Sequence, residues 1–286
     1  MLGKHVGFVN LLQKELGRPL LSLHCIIHEE NVCTKASSKQ LNEVMSVVIK
    51  ITNTIIARSA LNHRKFKTFL EQIECEYSDL LMHTEVRWLS RGKVLNRFVA
   101  CINAIEIFMS EIGESFPQLK DKNWLLKLKF LTDITNHFNN LNLRLQSKEQ
   151  TILKLYEAWK SFCCKLVLFQ GDIMKQTFKY FPSVKTHEEI TNAEVDMLKT
   201  YIDAIQIEFE TRFQNFKAHG PMFSFIIKPD GMEENVLDLQ YFNFLEIENL
   251  DMELIDFKNS TIWTDKFKAL RRQLHVGHHF PPSFLR

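Results

Sequence analysis

The sequence predicts a mainly α protein with one short buried strand near its start, and three observations lead there. Glycine and proline number 9 and 7 in 286 residues, under half of the roughly 12% of average usage, which disfavours turn-dense sandwiches, barrels and glycine-rich nucleotide folds. Apolar residues recur at spacings of three and four over most of the chain, which is the period of one helix face. The 23 phenylalanines fall largely on those stripes, where each buries a large apolar area, so they read as core rather than as an aromatic binding box.

Taken in order, Leu20-Leu21-Ser22-Leu23-His24-Cys25-Ile26-Ile27 is short, mostly apolar and preceded by Gly17 and Pro19, which suits a buried strand. The period then becomes helical. Leu41, Val44, Val48, Ile51 and Ile55 mark one face, and Phe66, Phe69, Leu70 and Ile73 mark a second. A third helix is expected to begin at Ser90, whose hydroxyl can cap free amides, and to carry Val94, Leu95, Phe98, Ile102, Ile105 and Met109 towards Pro117. Three longer stripes follow: Trp124 to Leu145, Ile152 to Ile173, and Val195 to Phe216. After His219-Gly220-Pro221 the period fades, and Pro229-Asp230-Gly231 signals a turn.

Charge adds a second kind of organisation. Lys and Arg number 36 against 34 Asp and Glu, so the net +2 gives no overall bias towards nucleic acid or membrane. Residues 1–100 nevertheless carry 14 basic and 9 acidic side chains, whereas residues 229–257 carry 9 acidic and none basic. The 6 cysteines are scattered apart from the adjacent Cys163 and Cys164, and no secretory leader pattern opens the chain, so they read as reduced thiols. Charges interrupt every apolar run before the about 18 residues a bilayer span needs, so no membrane partner is expected.

Two constellations could carry chemistry. Cys25-Ile26-Ile27-His28 offers a thiolate and an imidazole, but zinc wants about four ligands, and residues i and i+3 of a strand face opposite sides. Cys25 and His28 therefore read as a local structural motif, and no metal or other cofactor is expected. Thr84-Glu85-Val86-Arg87-Trp88-Leu89-Ser90-Arg91-Gly92-Lys93 is more informative. It gathers a Trp face, two guanidinium groups and an ammonium at an expected helix start, where free amides and cations hold phosphate and an aromatic face can stack a base. The same residues also suit a plainer arrangement, with Trp88 in the core and Arg87 paired to a local carboxylate. Arg91-Gly92-Lys93 lacks the upstream glycine of a phosphate loop, and no Gly-x-Ser-x-Gly elbow occurs. No active site can be assembled from the residues alone.

The order of Met-Leu-Gly-Lys-His-Val-Gly-Phe-Val at 1–9, His-Cys-Ile-Ile-His-Glu-Glu at 24–30, Leu-Asn-His-Arg at 61–64 and Thr-Glu-Val-Arg-Trp-Leu-Ser-Arg-Gly-Lys-Val-Leu at 84–95 resembles hAT-superfamily transposases. It resembles most their domesticated descendants, the transposase-like part of the general transcription factor II-I repeat-domain group and related BED zinc-finger proteins. Asn123-Trp124-Leu125, Leu131-Thr132-Asp133-Ile134-Thr135 and Leu141-Asn142 extend the likeness, which continues more weakly to about Phe225. The resemblance implies an RNase H-like core interrupted by a large helical insertion. It also implies that Cys25 and His28 match a Cys-x-x-His motif near the active site. Arg87 and Trp88 match an Arg-Trp motif, whose aromatic stabilises a flipped base at the transposon end.

The family cuts and joins DNA with three metal-binding acids, and the stretches that carry them find no match between Met1 and Arg286. The expectation is therefore a mainly α chain with a partial RNase H-like α/β segment over 1–85, a helical insertion domain over 86–228, and an acidic segment and peripheral tail over 229–286. It is not expected to be an enzyme. The expected role is that of a catalytically incomplete, transposase-derived nuclear module for protein interaction or for weak DNA binding through Arg87, Trp88, Arg91 and Lys93. The alternatives are a scaffold that completes an active transposase in trans, or a gene-model fragment without independent function.

Overall fold

The computed structural model describes residues 7–17, 39–82, 88–147, 151–227, 229 and 249–276. Its helices, in chain order, are α1 (Phe8–Leu16), α2 (Lys39–Ile56), α3 (Ala60–Gln72), α4 (Trp88–Ala100), α5 (Ile102–Glu111), a 3-10 turn at Pro117–Lys120, α6 (Lys122–Leu145), α7 (Ile152–Met174) and α8 (Pro182–Lys185). They continue with α9 (Asn192–Arg212), α10 (Gln214–Ala218), α11 (Gly220–Ile227), α12 (Leu250–Asn259) and α13 (Thr261–Val276). The mainly α expectation holds, and there is no strand among the described residues. Those within 1–85 are helical or in turns, so nothing described supports α/β character there, and the strand expected at 20–27 lies outside the described residues.

The chain divides into two compact units, one of residues 24–214 and one of residues 1–23 with 215–286. In the larger unit α6 is the central helix: α2, α4, α7, α8 and α9 all pack on it, while α3 packs on α2 and α5. Burial shows the consequence. Phe130, Leu131, Thr132, Asp133, Ile134 and Thr135 are consecutive and all buried, which a helix permits only when neighbours cover it on every side. Packing is continuous across residues 85 and 86, since α2 and α3, before them, pack on α6 and α5, after them.

The stripes read from the sequence form this core. Leu41, Val44, Val48, Ile51 and Ile55 of α2 are buried, and so are Phe66 and Leu70 of α3, although Ile73 is exposed just past the helix end. The phenylalanines gather around α6. Phe138 lies 5.3 Å from Phe162 of α7 and 5.8 Å from Phe209 of α9, and Phe209 lies 5.3 Å from Phe162 and from Phe213. These centroid separations are those of favourable offset and tilted aromatic pairs. Side-chain caps set several helix starts, since the Ser59, Thr151 and Thr191 hydroxyls accept from the amides of Asn62, Lys154 and Glu194. The Thr191 amide in turn donates to the Glu194 carboxylate at 2.8 Å, completing a capping box.

Four local expectations change. Helix α4 begins at Trp88 rather than Ser90, so Ser90 lies inside the first turn and not at the helix start. The single helix expected over 90–109 is broken at Cys101, whose φ of −96° and ψ of 11° separate α4 from α5. The stripe from Val195 to Phe216 spans two helices, with Phe213 at the end of α9. Gly220-Pro221 opens α11 instead of ending helical structure: a proline in the first turn loses no hydrogen bond, because its amide would have had no helical partner.

In the smaller unit, α1, α12 and α13 are helices that the stripes did not indicate. Phe257 and Phe267 pack edge to face at 5.8 Å between α12 and α13, and Phe216 lies 5.4 Å from Phe223. The acidic stretch 229–257 falls mostly outside the described residues.

Candidate functional site

The Arg-Trp block can be followed from the start of α4. Arg87, like Cys25 and His28, lies outside the described residues, and Trp88 is described only as the first residue of the helix. Arg91, one turn further, is 5% exposed. Burial draws its guanidinium down to about 10, which still leaves it charged at neutral pH. Lys93 is exposed. The structure thus parts two residues that the sequence grouped: Lys93 meets solvent, while Arg91 is enclosed by protein.

Gly92 explains how α4 sits so close to α6. A methyl group at this position would stand 2.1 Å from the Asn139 amide nitrogen and 3.2 Å from Asn136 Oδ1. The next helix turn adds a reciprocal amide pair, in which Asn96 Nδ2 donates to Asn136 Oδ1 at 3.0 Å and Asn136 Nδ2 donates to Asn96 Oδ1 at 2.9 Å. Two hydrogen bonds between the same side chains fix the register of the helices, a device of specificity as much as of stability. Gly92 had carried no weight as a phosphate-loop residue. Its spacing of four from Asn96 was the available signal, but only the partner helix gives that spacing meaning.

A second cluster holds the segment 175–188 against α6 and α7. Asp133 accepts from the amide of Ser183 at 2.9 Å and from that of Val184 at 3.0 Å, capping α8 from a neighbouring helix. Burial pushes the Asp133 carboxyl up to about 6, against these amides and Lys129, which favour its charged form. His137 donates its Nε2 hydrogen to the Tyr180 carbonyl at 2.8 Å and lies 4.2 Å from the Phe169 ring; burial lowers its imidazole below the usual histidine range. Asp172 accepts from the Thr177 hydroxyl and from the amides of Lys179 and Tyr180. Burial raises that carboxyl, but these donors outweigh it and hold it below the ordinary value. Both aspartates are occupied as acceptors for backbone amides, so they hold a loop rather than face a substrate.

Beside this cluster lies a pocket of about 510 Å³ between the α4–α5 corner, the start of α6 and residues 186–188. Leu119, Leu125 and Leu128 line it, with Lys120, Lys122, Lys129, Glu106 and Glu188 at its polar positions. The lysines are engaged: Lys120 faces Glu106 at 3.7 Å, Lys122 faces Glu188 at 3.7 Å, and Lys129 donates to the Thr186 carbonyl at 3.2 Å. Among the described residues no group of three or more His, Cys, Asp or Glu stands close enough to hold a metal ion.

A family profile, described as the FAM200/GTF2IRD2 helical domain, matches residues 24–174, the stretch that contains the α4–α6 crossing and Asp133 but ends before the α8 amides that Asp133 caps. The chain belongs to this FAM200/GTF2IRD2-like family. General transcription factor II-I repeat domain-containing protein 2 of Bos taurus is 34% identical over 275 residues, 93% of this chain and 27% of that protein. Its counterpart of the same name from Mus musculus is 34% identical over 254 residues, 88% of this chain and 25% of that protein. The chain thus spans about a quarter of the length of these curated relatives. No solved structure matches. The helical-domain description agrees with the α6-centred unit, whose residues 24–214 contain the whole matched stretch.

Proposed function

We propose that this FAM200/GTF2IRD2-like chain is a non-catalytic, hAT transposase-derived helical module of a nuclear assembly, which binds protein partners and touches DNA weakly at the Arg87-Trp88 start of α4. The observation that carries the reading is family membership over the stretch that includes this block, together with 34% identity to proteins whose name places them with a general transcription factor. In this reading Arg87, Trp88 and Lys93 meet the nucleic acid. Arg91, enclosed at 5% exposure, supports the helix start from within. No single described helix is long and apolar enough to cross a membrane.

Fluorescence anisotropy of labelled duplex DNA against salt concentration tests the DNA arm. Arg87→Ala with Trp88→Ala is expected to weaken binding, and Lys93→Ala to lower the log–log salt slope by about 1, as loss of one phosphate contact requires. Unchanged binding and slope in both variants would remove DNA from the proposal and leave protein partners, identified by crosslinking in nuclear extract. Strand transfer restored by mixing the chain with an intact relative would instead favour a scaffold acting in trans.

A further inference from the structure

The sulfur atoms of Cys75 and Cys101 lie 3.5 Å apart. Cys101 is 1% exposed at the break between α4 and α5, while Cys75 is half-buried in the turn that follows α3. That turn is held firmly. The Cys75 amide donates to the Leu70 carbonyl at 3.0 Å, Arg97 lies over the Tyr77 ring at 5.2 Å, and Asp79 receives His63 at 2.9 Å and Lys67 at 3.2 Å. The two thiols are therefore neighbours by construction of the fold, although 26 residues separate them in the chain. A disulfide needs sulfurs at about 2.05 Å, so closing this pair takes about 1.5 Å of movement shared between two side chains. The adjacent Cys163 and Cys164 of α7 offer a contrast: one is half-buried and the other exposed, since consecutive helix residues point about 100° apart.

The geometry points to Cys75 and Cys101 as a site of reversible oxidation, at which a hydroperoxide converts the thiol pair to a disulfide. The chemistry balances. The sulfur of Cys75, the more exposed residue of the pair, attacks the outer peroxide oxygen and becomes a sulfenic acid, with the other oxygen leaving as water or an alcohol. The Cys101 sulfur then attacks the Cys75 sulfur, its proton leaves with the displaced hydroxyl as water, and the S–S bond forms. Two thiols lose two electrons and the peroxide gains them. The order of events follows from access: Cys101 is 1% exposed and burial pushes its thiol up to about 12, so the half-buried Cys75 is the first to meet the peroxide. The bond would close a loop containing all of 84–93, so oxidation would tie the chain before α4 to the chain after it.

The test treats the whole chain with stoichiometric hydrogen peroxide, alkylates it in denaturant and maps the peptides by mass without reduction. A Cys75–Cys101 crosslink, reversed by dithiothreitol, is expected, with a rise in melting temperature of about 5–10 °C for the oxidised form. Cys101→Ala should leave Cys75 as a sulfenic acid that dimedone traps, and Cys75→Ser should leave the residue 101 thiol free to alkylate. Cys101 remaining free once Cys75 is oxidised, or Cys75 linked to a different cysteine, would overturn the assignment. Peptide mapping of the unsubstituted chain decides the matter even where a variant fails to fold.

Discussion

Asp133 buries a carboxylate in the middle of α6 to cap another helix, and that geometry makes it a pH-sensitive position. Its folded value of about 6 stands above the ordinary 3.8, so between those limits the folded chain holds a proton that the unfolded chain has released. Stability from this residue is then fully present below about pH 4 and is lost as pH rises through about 6, by about 2–3 kcal/mol in total. Asp133→Asn removes the titration. Denaturant midpoints of the two proteins from pH 4 to 7.5 should show the unsubstituted chain losing ground to the variant as pH rises, and parallel curves would refute the shift. Gly92 is the other residue whose role is steric. Gly92→Ala gains about 1 kcal/mol of helix propensity but drives a methyl group into the Asn139 amide, so a net loss of about 1 kcal/mol is expected. With Asn139→Ala beside it the 2.1 Å contact is gone and only Asn136 Oδ1 at 3.2 Å remains, so the same change should cost less than it does alone, a coupling that a double-mutant cycle measures. Neither role was legible from the residue itself: Asp133 stood in a stretch noted for its likeness, Gly92 in a rejected phosphate loop.

At the scale of elements, the sequence read well wherever one face of a helix is buried. The stripes are buried along α2, along α7 from Trp159 onward and along α9 from Val195 to Phe209, because a period near 3.6 and a one-sided environment are two descriptions of one constraint, whereas α6, covered on every side, buries more than its stripe. It read less well at breaks. The apolar residues of α4 and α5 continue in period past Cys101, so nothing local marked the interruption. Helices α12 and α13 were missed because their apolar residues are widely exposed, among them Met252, Ile262 and Trp263, the last at 57% with Lys266 stacked 4.5 Å above its ring. Phe209 tests the aromatic core that joins α6, α7 and α9. It is fully buried among three other rings, and Phe209→Ala is expected to cost about 3–5 kcal/mol in chemical denaturation. A loss below about 1 kcal/mol would mean that the cluster collapses around the gap.

The whole molecule divides into two compact units, and residues 24–214 hold the α6-centred core. A chain ending at Gln214 and beginning at His24 should therefore remain helical and melt cooperatively, within a few degrees of the full chain by circular dichroism. Non-cooperative melting would show that residues 1–23 or 215–286 complete the fold. By itself the sequence determined the helical class, the faces that turn inward and the order of motifs that marks the FAM200/GTF2IRD2-like family, since each of these depends on residue type and spacing along one strand of chain. Only the tertiary structure decided that Arg91 is enclosed while Lys93 is exposed, that Asp133 caps α8, that Gly92 admits α6, and that Cys75 meets Cys101. Those contacts join residues far apart in the chain, and no period or motif encodes which face of one helix will lie against which residue of another.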